Sequence, residues 1–387
     1  MADRLPGAGY EQDQEQHALT VLRTVRCASG ASKSRASGNE QLKGIKIMKA
    51  VFLLGNKQVE VREVDPPRPG NGEVLIAIKA SCICRSDMSL YYGNSILGGV
   101  APGKCVAGHE PAGFIEEVGP GVATFRRGDR VAVHLALGCG TCAACRRGMF
   151  HLCPTTRYIG FTADGGNADY LVVPERNCLH IPDSMSYVAA AISTDAFGTL
   201  YSACKKLEVS GASTIGIWGM GPMGSSGILA AKALGARIVA LDPITERREF
   251  AEKLGADLTL DPTDPGALGA LMEFSGRDGL SAAIDCSGNP AAQNMALDAA
   301  RPFAKVAFIG ESKETTIRPS EQLIRKQLTL MGSWYFGIAE YDEIAEIIVS
   351  KKIDLGMLAT HTFSLDEAPE AFRLFDERKT EKAVFVI

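Results

Sequence analysis

The sequence predicts an α/β protein with two domains, a β-rich domain followed by a parallel, doubly wound sheet. From residue 48 to about residue 190, short apolar or alternating segments are separated by Gly and Pro, a pattern typical of antiparallel strands and turns. From about Ser210 onwards, buried strands alternate with helices, which indicates a parallel sheet with helices on both faces. A chain of 387 residues is long enough for both domains.

The first 47 residues differ from the rest of the chain in composition. Segments such as "MADRLPGAGYEQDQEQ" are polar and lack apolar periodicity, which predicts a disordered extension over residues 1–47. The first convincing strand, "MKAVFLL", starts at Met48, and we expect the folded protein to begin there.

Composition argues against nucleic-acid and membrane partners. The formal net charge is −4 and hydrophobic residues make up 46% of the chain, values that do not suggest a basic nucleic-acid-binding surface. No uninterrupted apolar run approaches the ~18 residues of a membrane helix. We therefore expect a cytoplasmic protein whose partner is a small molecule.

The strand and helix patterns assign the two domains. The β-rich part contains the strands "EVLIAIKAS", "AGFIEEVG", "DRVAVHLA" and "ADYLVVP". The second part contains the strands "STIGIWG", "ARIVALD", "LSAAIDCSG" and "KVAFIG", with helices such as "PMGSSGILAAKALG" between them. The last strand, "KAVFVI", is expected to return to the first domain. We assign residues 48–197 and 335–387 to the β-rich domain and residues 198–334 to the parallel sheet.

A glycine-rich turn joins the first strand and the first helix of the parallel sheet. Residues 219–224, "GMGPMG", follow the G-x-G-x-x-G pattern of dinucleotide-binding domains. Gly219 allows the tight turn, Gly221 lets a pyrophosphate approach the backbone, and Gly224 lets the helix pack closely on the strand. The amides at the start of the helix would bind the pyrophosphate.

Asp242 ends the second strand of the sheet, roughly 20 residues after this turn. A carboxylate there would bind the adenosine ribose and repel a 2′-phosphate, which favours NAD over NADP. Alternatively, Asp242 caps the helix that follows it. Arg247 and Arg248 follow closely, and a guanidinium can bind a 2′-phosphate, so NADP stays the less favoured alternative.

Four cysteines with short spacing predict a structural zinc site. They follow the pattern C-x2-C-x2-C-x7-C, and thiolates so close in sequence can surround one Zn2+ tetrahedrally. A disulfide cluster fits poorly in a long chain of cytosolic character, and an iron–sulfur cluster fits poorly because the chain has further candidate zinc ligands. A closed four-sulfur site leaves no position for a substrate. The residues are Cys139, Cys142, Cys145 and Cys153.

Cys84, His109 and Asp195 are candidates for a second, catalytic zinc site. One thiolate, one imidazole and one carboxylate leave the fourth position of zinc open for water or substrate. Each residue alone has an ordinary alternative, since Cys84 or His109 can be a core residue and Asp195 can cap a helix. Their occurrence with the glycine-rich turn and the four cysteines favours zinc.

The chain resembles the zinc-dependent medium-chain alcohol and polyol dehydrogenases, from about Met48 to the C-terminus. The segment 108–122, "GHEPAGFIEEVGPGV", follows the zinc signature of that family without a mismatch. The segment "CRSD", which begins at Cys84, resembles the strand end that carries the first zinc ligand. The run of four cysteines matches the structural lobe of the family.

The resemblance implies a GroES-like catalytic domain, a Rossmann domain that binds NAD, and a homodimer or homotetramer. Two zinc ions per chain are implied, with Asp195 as the third ligand of the catalytic ion and Glu110 as a carboxylate that ligates it transiently. The remaining implied contacts are Ser86 with the substrate oxygen, Thr199 with the nicotinamide, Arg85 with the pyrophosphate and Arg247 with the adenosine ribose. One position departs from the family: members often have a relay histidine where this chain has Ser89.

These features predict an NAD-dependent zinc enzyme that oxidises a secondary alcohol or polyol. A zinc ion would act as a Lewis acid on the substrate hydroxyl, Ser86 would begin proton removal, and a hydride would pass to the nicotinamide. The alternatives are amino-alcohol oxidation like that of threonine dehydrogenases and a non-catalytic regulatory protein that binds zinc and a nucleotide. The segments "SLYYGNSILGG" and "GSWYFG" are expected to line the substrate pocket, although the aromatic residues of the second more often serve packing.

Overall fold

The computed structural model describes residues 47–94, 100–276 and 278–387. Residues 1–46, almost the whole of the expected N-terminal extension, lie outside the described residues. None of the helices in the described ranges is long and apolar enough to cross a membrane.

In the part of the chain that the structure describes, nine strands precede the parallel sheet. They are β1 (Met48–Gly55), β2 (Gln58–Val64), β3 (Glu73–Cys82), β4 (Glu110–Val118), β5 (Arg130–Val133), β6 (Ala136–Leu137), β7 (Arg157–Tyr158), β8 (Tyr170–Pro174) and β9 (Cys178–His180). β3 pairs antiparallel with β4 and with β8, and most of its side chains are buried. β1 and β2 form a separate antiparallel hairpin, while β6 pairs with β7.

The next six strands form the predicted parallel sheet. They are β10 (Thr214–Trp218), β11 (Arg237–Leu241), β12 (Leu258–Leu260), β13 (Leu280–Asp285), β14 (Ala300–Phe308) and β15 (Thr329–Gly332). All are parallel, in the order β12-β11-β10-β13-β14-β15. The order reverses between β10 and β13, and a crevice for a nucleotide is expected where the carboxyl ends of these two strands diverge.

The chain then returns to the antiparallel sheet through β16 (His361–Phe363) and β17 (Ala383–Val386). β17 pairs antiparallel with β3 and parallel with β16. The result is a seven-stranded, mainly antiparallel sheet in the order β16-β17-β3-β4-β5-β9 with β8 on β3. The last strand therefore returns as expected. The domain boundaries at 197/198 and 334/335 stay predictions.

Helices connect and cover both sheets. The α-helices are α1 (Asp87–Tyr92), α2 (Ala143–Arg146), α3 (Tyr187–Ile192), α4 (Gly198–Lys206), α5 (Pro222–Ala233), α6 (Thr245–Leu254), α7 (Ala267–Phe274), α8 (Pro290–Ala299), α9 (Tyr341–Ser350) and α10 (Ala368–Asp376). Short 3-10 turns lie at Phe150–Leu152, Glu175–Asn177, Ile338–Glu340, Leu355–Leu358 and Leu365–Glu367, and π-helical turns at Ser193–Phe197 and Pro319–Ile324. In α10 the buried residues recur at helical spacing, so one apolar stripe packs on the core.

The pairing of β3 with β4 brings distant segments of the chain to one end of the antiparallel sheet. Cys82, the last residue of β3, lies opposite Glu110, the first residue of β4. Cys84 follows β3 by two residues, and His109 immediately precedes β4. Because antiparallel strands run in opposite directions, the end of one and the start of the next place these side chains together.

Candidate metal centres and cofactor cleft

Cys84, His109 and Asp195 bring their ligand atoms together at this end of the sheet. Cys84 Sγ lies 3.3 Å from Asp195 Oδ2, and His109 Nε2 lies 3.4 Å from the same oxygen. Around tetrahedral zinc, with bonds of about 2.0–2.3 Å, neighbouring ligand atoms are separated by roughly 3.3–3.8 Å. A ligand atom of Glu110 belongs to the same cluster, within 4.8 Å of the others. The donor set and its spacing fit one zinc ion.

Asp195 reaches this cluster from the π-helical turn between α3 and α4. Burial is the largest single influence and favours the neutral form. The hydrogen bond and charge of His109, together with Lys382 and Cys84, outweigh burial in sum and lower the pKa of the carboxyl group. Its second oxygen, Oδ1, accepts a hydrogen bond from Thr199 Oγ1 at 3.4 Å. Thr199, the residue expected to pack against the nicotinamide, is therefore adjacent to the cluster.

Asp87 orients two of the three candidate ligands, and sequence reasoning missed it. Its Oδ1 lies 2.9 Å from His109 Nδ1, and its Oδ2 accepts a hydrogen bond of 2.9 Å from the amide of Cys84. Asp87 is completely buried. A carboxylate on Nδ1 of a ligating histidine directs Nε2 at the metal and raises the basicity of the ring. The available signal was its position three residues after Cys84, where an Asp side chain can accept a local amide.

Glu110 forms a completely buried ion pair with Lys382, which sequence reasoning also missed. Lys382 Nζ donates to Glu110 Oε1, and neither side chain is exposed. Glu110 Oε1 lies 4.0 Å from His109 Nε2, while Oε2 has no hydrogen-bond partner among the described residues. Burial raises the pKa of Glu110 to about 7, although Lys382 opposes this shift. The Glu110 carboxylate therefore lies beside the ligand cluster. One of its oxygens is paired with Lys382, and the other has no partner among the described residues.

Ser86 and Ser89 differ in what they can reach. Ser86 Oγ lies 3.3 Å from His109 Nε2, beside the ligand cluster. The hydroxyl of Ser89 donates instead to the main-chain oxygen of Ser86 at 2.9 Å. Ser86 is therefore adjacent to the ligand cluster, and its expected contact with a substrate oxygen stays a prediction, whereas the Ser89 hydroxyl is engaged by the main chain where α1 begins.

The four cysteines of the predicted lobe also converge. All four sulfur atoms lie within 4.8 Å of one another, and Cys139 Sγ and Cys145 Sγ are 3.9 Å apart. The edge of a tetrahedron with 2.3 Å Zn–S bonds is about 3.8 Å. Hydrogen bonds from the hydroxyl and amide of Thr141 and from the amide of Cys142 lower the pKa of Cys139 to about 5. The donor set fits a second zinc ion that is closed to substrate.

The glycine-rich turn lines a cleft of about 570 Å³ at the carboxyl end of β10. Gly219 has a φ of +88°, and a Cβ on Gly224 would lie 2.0 Å from Gly219 O. A Cβ on Gly221 would approach only Arg247 Nη1, at 3.9 Å, and would take up space in the cleft. Each glycine therefore occupies the place that the G-x-G-x-x-G pattern predicts, and the cleft fits a dinucleotide.

Asp242 lies at the edge of this cleft, as expected. Its Oδ2 accepts a hydrogen bond of 2.8 Å from the amide of Met220, and its Oδ1 accepts one of 2.9 Å from the amide of Ile244. The next helix, α6, begins at Thr245 with Ile244 as its N-cap. Asp242 is therefore not the N-cap of that helix, and it links the glycine-rich turn to the end of β11 instead.

Arginines from both domains surround the cleft. Arg85 and Arg247 line it, and their expected contacts with the pyrophosphate and the adenosine ribose stay predictions. Arg248 Nη1 instead donates a hydrogen bond of 2.7 Å to the main-chain oxygen of Asp242, the residue that follows β11. Arg378 and Thr380, near the C-terminus, also line the cleft, and sequence reasoning did not identify them.

Whether the segments "SLYYGNSILGG" and "GSWYFG" line a substrate pocket stays a prediction. In "GSWYFG", Tyr335 and Phe336 are buried packing residues, whereas Trp334 is 43% exposed and lines a second cavity of about 610 Å³. The first part of "SLYYGNSILGG" belongs to α1, and its residues 95–99 lie outside the described residues.

Two family models match the chain. Residues 70–183 match the family described as "Alcohol dehydrogenase GroES-like domain". Residues 222–350 match the family described as "Zinc-binding dehydrogenase". The first match covers the segments around Cys84 and His109 together with the four cysteines, and the second begins within the glycine-rich turn.

Curated relatives match along nearly their whole length. The zinc-type alcohol dehydrogenase-like protein YphC of Escherichia coli (strain K12) is 35% identical over 349 residues, which are 88% of this chain and 99% of that protein. An L-threonine 3-dehydrogenase of Pyrococcus horikoshii is 34% identical, with coverage of 85% and 95%. A sorbitol dehydrogenase of Bacillus subtilis (strain 168) is 32% identical, with coverage of 86% and 95%.

Solved structures show the same architecture. The alcohol dehydrogenase TADH of Thermus sp. ATN1 has a TM-score of 0.82 at 28% identity, over 87% of this chain and 99% of that one. An alcohol dehydrogenase of Escherichia coli CFT073, solved with NADH, has a TM-score of 0.80 at 27% identity, over 88% and 100%. With its two zinc-fitting clusters and its dinucleotide cleft, the chain belongs to the zinc-dependent medium-chain alcohol dehydrogenases, which act on CH–OH donors with zinc and a nicotinamide cofactor.

Proposed function

We propose that the protein oxidises a secondary alcohol or polyol with NAD, at a zinc ion bound by Cys84, His109 and Asp195. The observation that carries this proposal is the convergence of these three side chains at distances suited to zinc. Arg85, the residue after Cys84, lines the dinucleotide cleft, so the metal cluster and the cofactor are adjacent. The cysteines of the lobe would bind the second, structural zinc ion.

The residues of the cluster have distinct roles in the proposed reaction. When bound, zinc supplies a Lewis acid that lowers the pKa of the substrate hydroxyl, and the nicotinamide supplies the hydride acceptor. The thiolate of Cys84 and the carboxylate of Asp195 together balance the two charges of the ion. Asp87 directs Nε2 of His109 at the metal. Ser86 binds the substrate oxygen and relays its proton, accepting it as the serine's own hydroxyl proton passes on.

The route by which this proton reaches solvent differs from the route in family members that have a relay histidine. Ser89 occupies the relay position, and its hydroxyl is hydrogen-bonded to the main chain. We propose that water or the cofactor ribose carries the proton to solvent.

NAD is the proposed cofactor in preference to NADP. Asp242 places a buried carboxylate at the cleft where the adenosine ribose would bind, and a carboxylate repels a 2′-phosphate. Of the two arginines that leave NADP open, Arg248 is engaged by a main-chain oxygen and Arg247 alone lines the cleft. Initial rates with NAD and NADP at equal concentration test this preference directly.

The substrate class has one alternative within the family. Threonine dehydrogenases and a sorbitol dehydrogenase match the chain at 34% and 32% identity, values too similar to separate amino alcohols from polyols. A panel of polyols, simple secondary alcohols and L-threonine, with NADH absorbance as the readout, distinguishes them. A protein that binds cofactor but forms no product with any of these would instead be the non-catalytic alternative.

Oligomeric state and location are part of the same proposal. We propose a cytoplasmic homodimer or homotetramer, by resemblance to the family. Sedimentation equilibrium and cell fractionation are the corresponding measurements.

Matched cysteine variants test the two metal sites. Metal analysis of the wild type should return two zinc ions per chain. Cys84→Ser should retain one, stay folded and lose turnover, because it removes a ligand of the catalytic ion. Cys142→Ser should also retain one zinc ion, but chiefly lose stability, because it opens the structural site. Full activity of Cys84→Ser would refute the assignment of the catalytic zinc.

A further inference from the structure

Tyr335 lies in the segment that leads from the parallel sheet back to the antiparallel one. β15 ends at Gly332, and α9 begins at Tyr341. Tyr335 is 3% exposed and has a φ of 58°, in the left-handed region. A bulky residue keeps this strained conformation only where its surroundings over-determine it. The contacts of Tyr335 therefore indicate what this conformation achieves.

The phenol of Tyr335 binds two main-chain groups from different segments of the chain. Its hydroxyl donates to Thr194 O and accepts a hydrogen bond of 3.2 Å from the amide of Leu135. The ring stacks on Phe336 with a centroid distance of 4.6 Å and meets His134 edge-on at 4.8 Å. The ring is thus packed by its neighbours, and its hydroxyl is used both as donor and as acceptor.

The carbonyl bound by Tyr335 belongs to the residue immediately before Asp195, in the π-helical turn Ser193–Phe197. Single π-helical turns are frequent at functional sites, where they alter the direction in which a helix presents its side chains. Phe336 lies against Gly198, the residue that follows this turn, since a Cβ on Gly198 would lie 2.7 Å from Phe336 Cε1. Two adjacent aromatic residues therefore fix the turn that carries Asp195.

We propose that Tyr335 is a positioning residue for the reaction. Its hydroxyl holds the main chain next to Asp195 and thereby sets the position of that carboxylate relative to Cys84 and His109. This inference rests on the proposed function, in which Asp195 is a zinc ligand. Tyr335 acts through the backbone and not by contact with the substrate, so its effect falls on the geometry of the metal site.

The test compares Tyr335→Phe with Tyr158→Phe in the full-length protein. Phe retains the packed ring and removes only the hydroxyl. Tyr158 is also buried, and it also donates to a main-chain oxygen, that of His151 at 2.9 Å. Tyr158→Phe therefore measures the loss of stability when a buried phenol hydroxyl is removed that does not bind the main chain next to Asp195. Both variants and Asp195→Asn are prepared with zinc at the four-cysteine site and Co2+ at the Cys84–His109–Asp195 site. The visible spectrum, the rate of Co2+ release to a chelator and the melting temperature are then measured.

The expected results separate positioning from general loosening. Tyr335→Phe should shift the ligand-field bands of Co2+ and release the metal faster than the wild type. With zinc, its kcat should fall by about 10- to 100-fold, as for small misplacements of a catalytic group, while KM for NAD stays nearly constant. Tyr158→Phe should lower the melting temperature and leave the spectrum and kcat near the wild-type values.

Other results would overturn the inference in distinguishable ways. If Asp195→Asn changes the Co2+ spectrum but Tyr335→Phe does not, the positioning role is wrong and the proposed function stands. If Tyr158→Phe shifts the spectrum and kcat as much as Tyr335→Phe, the effect belongs to buried phenols in general. If Asp195→Asn leaves the spectrum unchanged, the ligand assignment itself is wrong, and the inference is wrong with it.

Discussion

Replacement of Lys382 by Met is expected to destabilise the protein strongly. Lys382 and Glu110 form an ion pair in which neither side chain is exposed, and Glu110 Oε2 has no other partner among the described residues. Removal of the ammonium group leaves a buried carboxylate without its cation. Breaking a buried pair in this way costs about 3–5 kcal/mol.

The matched control is Lys305→Met. Lys305 forms an ion pair of similar length with Glu208, at 2.6 Å, but the Glu208 side chain is 76% exposed. Exposed pairs contribute about 0–1 kcal/mol, because water screens both charges. Urea unfolding of the zinc-loaded proteins measures the free energy of unfolding of each variant, with a shift in midpoint and an unchanged slope as the expected signature.

A double variant shows whether the unpaired carboxylate is the cause. Lys382→Met with Glu110→Gln removes both charges, and most of the lost free energy should return, since neutral replacement of a buried pair is often tolerated. The reasoning is refuted if Lys382→Met costs less than about 1 kcal/mol, the ordinary cost of an exposed pair. It is also refuted if the double variant is as unstable as Lys382→Met alone.

Two further predictions concern the pH dependence of stability and the cofactor turn. Because burial raises the pKa of Glu381 from 4.5 to about 7, the folded protein holds this proton more tightly than the unfolded chain, and stability is lost as the pH rises from about 4.5 to about 7. The free energy of unfolding of Glu381→Gln should therefore exceed that of the wild type by up to about 3 kcal/mol at high pH and by little at low pH. If the free energies of unfolding of the two proteins change in parallel with pH, the prediction is wrong. Gly224→Ala places a Cβ 2.0 Å from Gly219 O, so NADH binding, followed by fluorescence, should weaken by about tenfold or more. The control Gly269→Ala, where nothing lies within 4 Å of the new Cβ, should bind NADH normally and gain up to about 1 kcal/mol of stability.

The sequence alone predicted the parts of the molecule that depend on short stretches of chain. The glycine-rich turn occupies residues 219–224, and the structural cysteines occupy residues 139–153. In both, the spacing of a few residues is set directly by the geometry of a tight turn or of tetrahedral zinc. Strand and helix patterns predicted the parallel sheet in the same way, because continuous burial along a strand and periodic burial along a helix are local properties of each segment.

The candidate cluster of Cys84, His109 and Asp195 was harder to predict, since its three residues come from separate segments. They are ordinary residues individually. Their occurrence with the glycine-rich turn and the four cysteines, together with the family signature around His109, connected them. The structure adds the reason why they meet, which is that β3 and β4 are antiparallel neighbours and that the π-helical turn returns to the same end of the sheet.

Only the tertiary structure decided the residues that support this cluster. Lys382 lies 272 residues from Glu110, and Tyr335 lies 141 residues from the carbonyl it binds. Strands, turns and metal motifs follow from the sequence because they depend on neighbouring residues. The partner of a buried charge or hydroxyl depends instead on which distant segments the topology places side by side, and no local pattern in the sequence specifies that partner.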